Sequence, residues 1–125
     1  MADVPVKILI VDDDEDIRLL LDFNLSSNGY EVLEAVNGAD ALDVIGEHGV
    51  SLIITDLTMP VMDGYEFIKK LKESPETSSI PVLMLTGREE ERVSRDNMAF
   101  PPDDYLPKPF ATGALIEKIA KLLSR

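Results

Sequence analysis

Short apolar runs without alternation recur along the chain, at Lys7-Ile8-Leu9-Ile10-Val11, Leu52 to Thr55 and Val82 to Leu85. A strand with one wet face alternates apolar and polar residues, so these β-branched runs predict strands buried on both faces of a parallel sheet. Two weaker strands are expected at Glu31 to Ala35, after the turn signal Asn28-Gly29, and at Tyr105-Leu106, just before Pro107.

Between the runs the apolar period changes to that of a helix. Ile17, Leu20, Leu21 and Leu25 fall on one helical face, as do Gly64, Phe67, Ile68 and Leu71, and Leu115, Ile119, Leu122 and Leu123. Ala39, Leu42 and Ile45 mark a weaker helix. Its start is set by Asn37 as a cap, while Asp63 with Glu66 has capping-box spacing and Asn28-Gly29 suits a left-handed helix exit. From Glu89 to Phe100 the apolar residues Val93, Met98 and Phe100 are sparse, and Pro101-Pro102 disfavours helix just upstream. A short or mobile helix is expected there.

Strands alternating with helices throughout imply right-handed βαβ units, hence a parallel sheet covered on both faces, (βα)₅. A length of 125 residues, 45% of them hydrophobic, suits one core, and no repeat or Gly/Ser-rich linker divides the chain. One domain over residues 1–125 is therefore expected, with its core at 6–124.

Composition narrows the chemistry. There is no cysteine and only one histidine, His48, which rules out a disulfide framework and a Cys or His zinc site and leaves oxygen ligands for any metal. No apolar stretch approaches the roughly 18 residues of a membrane span, and no charged-then-apolar leader opens the sequence, so membrane insertion is not expected and a cytoplasmic location is. Twelve basic against 24 acidic residues give a formal charge of −12, which repels nucleic acid and anionic lipid. Part of that excess is the run Asp12-Asp13-Asp14-Glu15-Asp16, and a charge run is ordinarily a solvated face.

Position changes the reading of that run. In an open α/β sheet ligands bind beyond the carboxyl ends of the strands. Asp12 and Asp13 follow the first strand, Asp56 the third, Thr86 the fourth and Lys108 the fifth, so all five polar residues would face one crevice. With the first and third strands adjacent, carboxylates about 5 Å apart repel by roughly 3 kcal/mol at an effective dielectric near 20, and a cation would offset this. Hard oxygen ligands with room for water describe a Mg²⁺ site, with Mn²⁺ as a substitute. A carboxylate beside such an ion and a lysine can act as a nucleophile toward phosphorus, and Asp56 is central to the set.

The stretches Val11-Asp12-Asp13, Asp56-Leu57-Thr58-Met59-Pro60-Val61-Met62-Asp63-Gly64, Leu85-Thr86-Gly87 and Lys108-Pro109-Phe110 resemble the receiver domains of bacterial two-component systems. The resemblance implies a flavodoxin-like, doubly wound (βα)₅ sandwich with a parallel five-stranded sheet of order 2-1-3-4-5. It implies a stand-alone phosphoacceptor that takes a phosphoryl group on Asp56 from a sensor histidine kinase or histidine phosphotransfer protein. Mg²⁺ would be held by Asp12, Asp13, Asp56 and the backbone carbonyl of Thr58, and Thr86 and Lys108 would take phosphoryl oxygens. Lys108-Pro109 would be a cis peptide.

Tyr105 would be a switch, turning inward as Thr86 moves and altering the face made by the 89–100 segment, the fifth strand and the last helix. Output through an unknown protein partner, a monomeric or weakly dimeric state and no dedicated enzymatic role complete these expectations, and the charge of −12 argues against nucleic acid binding.

Alternative roles stand beside these. Thr86 alone reads as a β-branched strand end, Lys108 alone as a surface cation, and Tyr105 as a packing aromatic. Asp14, Glu15 and Asp16 suit the first turn of a helix and are given no ligand role. Met59, Met62 and Met84 read as packing residues and His48 as an exposed helix end. Pro101-Pro102 and Gly87 replace the Gly-Ala and Ala common in the family, while Thr58 and Arg88 stand where the family borders the water that attacks an acyl phosphate. A haloacid-dehalogenase-like phosphatase would also use a strand-end Asp, but characteristically carries a second acid where this chain has Thr58. A pseudo-receiver would lack part of the acidic, Thr and Lys set, all of which is present.

Overall fold

Each unalternated apolar run becomes a strand whose side chains divide between two cores. The computed structural model describes residues 6–57, 61–87 and 101–124. Within them the order is β1 (Lys7–Val11), α1 (Glu15–Ser27), β2 (Glu31–Ala35), α2 (Gly38–His48), β3 (Leu52–Asp56), α3 (Gly64–Glu73), β4 (Val82–Thr86) and β5 (Asp104–Pro107). A last helix, here α4, spans Thr112–Leu123. The expected helix at Glu89 to Phe100 lies outside the described residues.

The strands form one parallel sheet in the order β2-β1-β3-β4-β5, the expected doubly wound arrangement. Successive residues of a strand point to opposite faces. Leu9, Val11, Ile53, Val82 and Met84 therefore pack with Ala41 and Ile45 of α2 and Phe67, Ile68 and Leu71 of α3. Ile8, Ile10, Leu52, Ile54, Leu83 and Leu85 pack on the other face with Leu21 and Leu25 of α1 and Leu115, Ile119 and Leu122 of α4. Burying each large aliphatic side chain contributes about 1.5–3 kcal/mol, so the two layers, rather than helix propensity, hold the helices in place.

Two helical faces differ from the sequence expectation. On α1 the buried residues are Leu21 and Leu25 with Ile17 partly covered, whereas Leu20 is 48% exposed, as are Leu19 and Phe23 to a greater degree. The i, i+4 row at 17, 21 and 25 meets the sheet, and the Leu-rich run offers more apolar positions than that contact can cover. On α2 the face runs through Ala41 and Ile45, with Leu42 partly buried. The α3 face is as expected, and Met84 and Met62 are packing residues.

Local signals also decide the boundaries. Asn37 and Asp63 accept from the amides of Asp40 and Glu66, satisfying donors that a helix start leaves open. Asp14 caps α1 in the same way, from the amide of Asp16. Asn28 ends α1 and Gly29 follows with φ 88°, the left-handed region that favours glycine. The Lys108–Pro109 peptide is cis. Asp56 and Thr86 are the last residues of their strands rather than the first residues beyond them.

Candidate functional site

Sheet order determines what meets at the carboxyl end. β3 is central, with β1 on one side and β4 on the other. Asp56 at the end of β3 is consequently flanked by Asp12 beyond β1 and by Thr86 at the end of β4, where Asp56 registers with Leu85. Lys108 follows β5, and its backbone amide donates to the carbonyl of Thr86 at 2.7 Å. Residues far apart in the chain are thus brought together only by strand pairing.

Asp12, Asp13 and Asp56 each place a carboxylate oxygen within 4.8 Å of the others. Asp12 and Asp56 are buried and Asp13 is exposed. The Lys108 ammonium donates to Asp56 Oδ1 at 3.2 Å and lies 3.8 Å from Asp12 Oδ2. The Leu57 amide donates to the same Asp56 Oδ1 at 2.9 Å. A lysine and an amide thus orient Asp56, and Lys108 lies within 4 Å of two of the three carboxylates, Asp12 and Asp56.

Among the described residues two buried side-chain oxygens have no hydrogen-bond partner, Asp12 Oδ2 and Thr86 Oγ1. An unsatisfied buried polar atom costs about 1–3 kcal/mol, more when charged, so such atoms call for a partner. Burial pushes the Asp12 carboxyl above its ordinary value, the charges of Asp56 and Asp13 add to this, and the Asp14 amide and Lys108 oppose it. A small divalent cation would meet these requirements together, since it would neutralise the converging hard oxygens and give the buried Asp12 Oδ2 a partner. Asp12, Asp13 and Asp56 therefore fit a metal ion.

The remaining expected site residues are placed as follows. Thr58 and Arg88 lie outside the described residues. Thr86 continues the face of Val82 and Met84, and Tyr105 is half-buried against that same core. The two thus project from one side of the sheet.

Asp14 and Asp16 serve the α1 start, and His48 is an exposed helix end whose carbonyl accepts from Lys7.

Two residues near the site are assigned no functional role from the sequence, although Gly64 closes the stretch from Asp56 that carries the family resemblance. Arg18 donates to the Asp12 carbonyl at 2.8 Å and to Glu34 Oε1 at 3.1 Å. Its one hint is that it is the sole basic residue of α1. Gly64 opens α3 directly over the Asp56 backbone, where an added Cβ would stand 2.8 Å from the Asp56 carbonyl oxygen.

The family model for the response regulator receiver domain matches residues 8–120. A response regulator named MprA from Mycobacterium sp. (strain KMS) is 40% identical over 124 residues, covering 98% of this chain and 52% of that protein. The phosphate regulon transcriptional regulatory protein PhoB of Rhizobium meliloti is 36% identical over 119 residues, 95% of this chain and 52% of that protein. The chain thus spans about half the length of these curated relatives.

Among solved structures, the chemotaxis response regulator CheY4 of Vibrio cholerae superposes with a TM-score of 0.88 at 32% identity, over 96% of this chain and 100% of that one. The signal receiver domain of a signal transduction histidine kinase from Syntrophus aciditrophicus gives 0.88 at 33% identity, over 95% and 90%.

Proposed function

Because this chain belongs to the response regulator receiver domain family, we propose that it is a phosphoacceptor whose Asp56 takes a phosphoryl group from a phosphohistidine of a sensor histidine kinase or a histidine phosphotransfer protein. The observation that carries this reading is the convergence of Asp12, Asp13 and Asp56 within 4.8 Å, with Lys108 on Asp56.

An Asp56 carboxylate oxygen attacks phosphorus, the P–N bond to the donor imidazole breaks with its electrons going to nitrogen, and an acyl phosphate results. Lys108 and the Leu57 amide both hold Asp56 Oδ1 beforehand, so little reorganisation is needed at the moment of attack. Asp12, Asp13 and Asp56 would hold Mg²⁺, with Mn²⁺ as a substitute, and the ion when bound would neutralise charge on the transferring oxygens. The buried Thr86 hydroxyl, without a partner beforehand, receives one phosphoryl oxygen, and Lys108 takes another.

Phosphorylation takes the side chain from about one negative charge toward two. Movement of Thr86 toward that charge opens space on the sheet face it shares with Tyr105, whose ring turns inward and changes the surface read by a downstream protein. The protein works as a signalling device that assists only its own phosphorylation and dephosphorylation. Among the described residues no helix is long and apolar enough to cross a membrane. The absence of cysteine is compatible with the cytoplasm, where we place the protein.

Acetyl phosphate as donor tests the reading. With Mg²⁺ the wild type takes up one phosphoryl group, detected by intact mass, and Asp56→Asn takes up essentially none. Equal labelling of the variant would refute Asp56 as acceptor.

A further inference from the structure

The peptide of Asp12 is pinned at each of its polar handles. Its amide donates to the Ala35 carbonyl at 3.1 Å, tying it to the end of β2. Its Oδ1 accepts from the Asp14 amide at 2.9 Å. Its carbonyl accepts from Arg18 Nη1 at 2.8 Å, and the same guanidinium donates through Nε to Glu34 Oε1 of β2 at 3.1 Å. Only Oδ2 is left without a hydrogen bond, turned toward Lys108 and the other carboxylates.

Arg18 is out of place on electrostatic grounds. A positive charge beside a cluster that is to hold a cation lowers the cation's affinity. Its side chain is only 16% exposed, so solvent screens it little, and the partly exposed Glu34 offsets the charge only in part.

What the guanidinium supplies is geometry: a planar fork whose Nε and Nη1 point in fixed directions and bridge β2 to the Asp12 carbonyl. A lysine ammonium on a flexible stem does not hold both bonds in that orientation.

We propose that Arg18 is a positioning residue for the cation site, locking the Asp12 peptide between α1 and β2 so that Asp12 Oδ2 is presented to the ion at the cost of some electrostatic attraction. This rests on the reading of Asp12, Asp13 and Asp56 as a Mg²⁺ site. Its consequence has a sign opposite to that of charge alone: removing Arg18 weakens Mg²⁺ binding, although it removes a nearby positive charge.

The experiment is calorimetric titration of the full chain with MgCl₂, with MnCl₂ as a second probe, well below the unfolding temperature of every variant. Partners behind a metal ligand are worth about 10–100-fold in affinity, and Arg18→Ala is expected to raise the Mg²⁺ Kd about tenfold. Arg18→Lys keeps the charge but not the fork and is expected to weaken binding several-fold. Glu34→Gln keeps an acceptor oxygen and stays within about twofold of wild type. The acetyl phosphate labelling rate of Arg18→Ala at saturating Mg²⁺ returns to within about twofold, because the fault lies in holding the ion.

Asn37→Ala, which removes the α2 cap and its bond to the Asp40 amide, controls for general loosening and leaves the Kd unchanged. Equal or tighter Mg²⁺ binding by Arg18→Ala, full affinity in Arg18→Lys, or equal weakening in Asn37→Ala would overturn the proposal. A wild type that shows no saturable Mg²⁺ binding overturns the cation-site reading itself, and the role of Arg18 falls with it.

Discussion

Replacing Gly64 by alanine places one methyl group against the backbone of Asp56, the proposed phosphoacceptor. The new Cβ would lie 2.8 Å from the Asp56 carbonyl oxygen, 3.0 Å from Leu57 Cα and 3.1 Å from Met84 Cε. Carbon packs against such atoms at about 3.5–4.0 Å, so the methyl is short by roughly half an ångström or more against two backbone atoms. Met84 Cε can rotate away; the Asp56 carbonyl cannot.

The Gly64 amide also donates to the Leu57 carbonyl at 2.7 Å, which ties the start of α3 to this same backbone and prevents the helix from simply lifting off. Overpacking of this kind costs about 1–3 kcal/mol. The entropy alanine saves in the unfolded chain returns about 0.4–1 kcal/mol, leaving a net loss of about 1–2 kcal/mol. For a domain of this size that lowers Tm by about 3–8 °C.

Urea denaturation followed by far-UV circular dichroism should show a lower midpoint at unchanged slope. Gly46→Ala is the internal control. Gly46 lies within α2, exposed, with nothing within 4 Å of an added Cβ, so the same substitution there should stabilise by about 0.5–1 kcal/mol. A Gly64→Ala midpoint equal to or above wild type would refute the argument that α3 is seated on the Asp56 backbone.

Three further outcomes follow from backbone conformation, charge and cation binding. Val61 has φ 68°, a left-handed conformation that costs a β-branched residue about 1–2 kcal/mol, and it is 81% exposed, so Val61→Gly should stabilise the fold by about 0.5–1 kcal/mol and raise the urea midpoint accordingly; an unchanged or lower midpoint would contradict this. Asp12, whose carboxyl burial pushes upward, binds more protons folded than unfolded in the window between its ordinary and raised values. Its contribution to stability therefore falls as pH rises through that window. In EDTA, the difference between wild type and Asp12→Asn should narrow as pH is lowered through it, and parallel curves would count against the effect. At neutral pH, Mg²⁺ at about 100 times its Kd should stabilise the wild type by about 2.7 kcal/mol.

The sequence by itself determined the layers and named the polar residues that end or follow the first, third, fourth and fifth strands. Unalternated runs such as Ile8 to Val11 have no polar position to give to solvent, so they demand cover on both sides, and the i, i+3, i+4 residues of α3 supply part of it. The caps at Asn37 and Asp63 were legible because they depend on neighbours a few residues away. The acidic pair, Asp56, Thr86 and Lys108 could be named because strand ends in such a sheet all face one crevice.

Tertiary structure alone decided how those residues stand to one another. Strand order set Asp56 between Asp12 and Thr86, and only that order left Asp12 Oδ2 and Thr86 Oγ1 buried without partners. It also decided which leucines of α1 are covered, since Leu20 and Leu21 are equally apolar and differ only in the side of the helix that meets the sheet. Arg18 was silent in the sequence for the same reason. Its partners, the Asp12 carbonyl and Glu34, are a backbone atom and a residue on another strand, and no pattern along the chain records a distance in space.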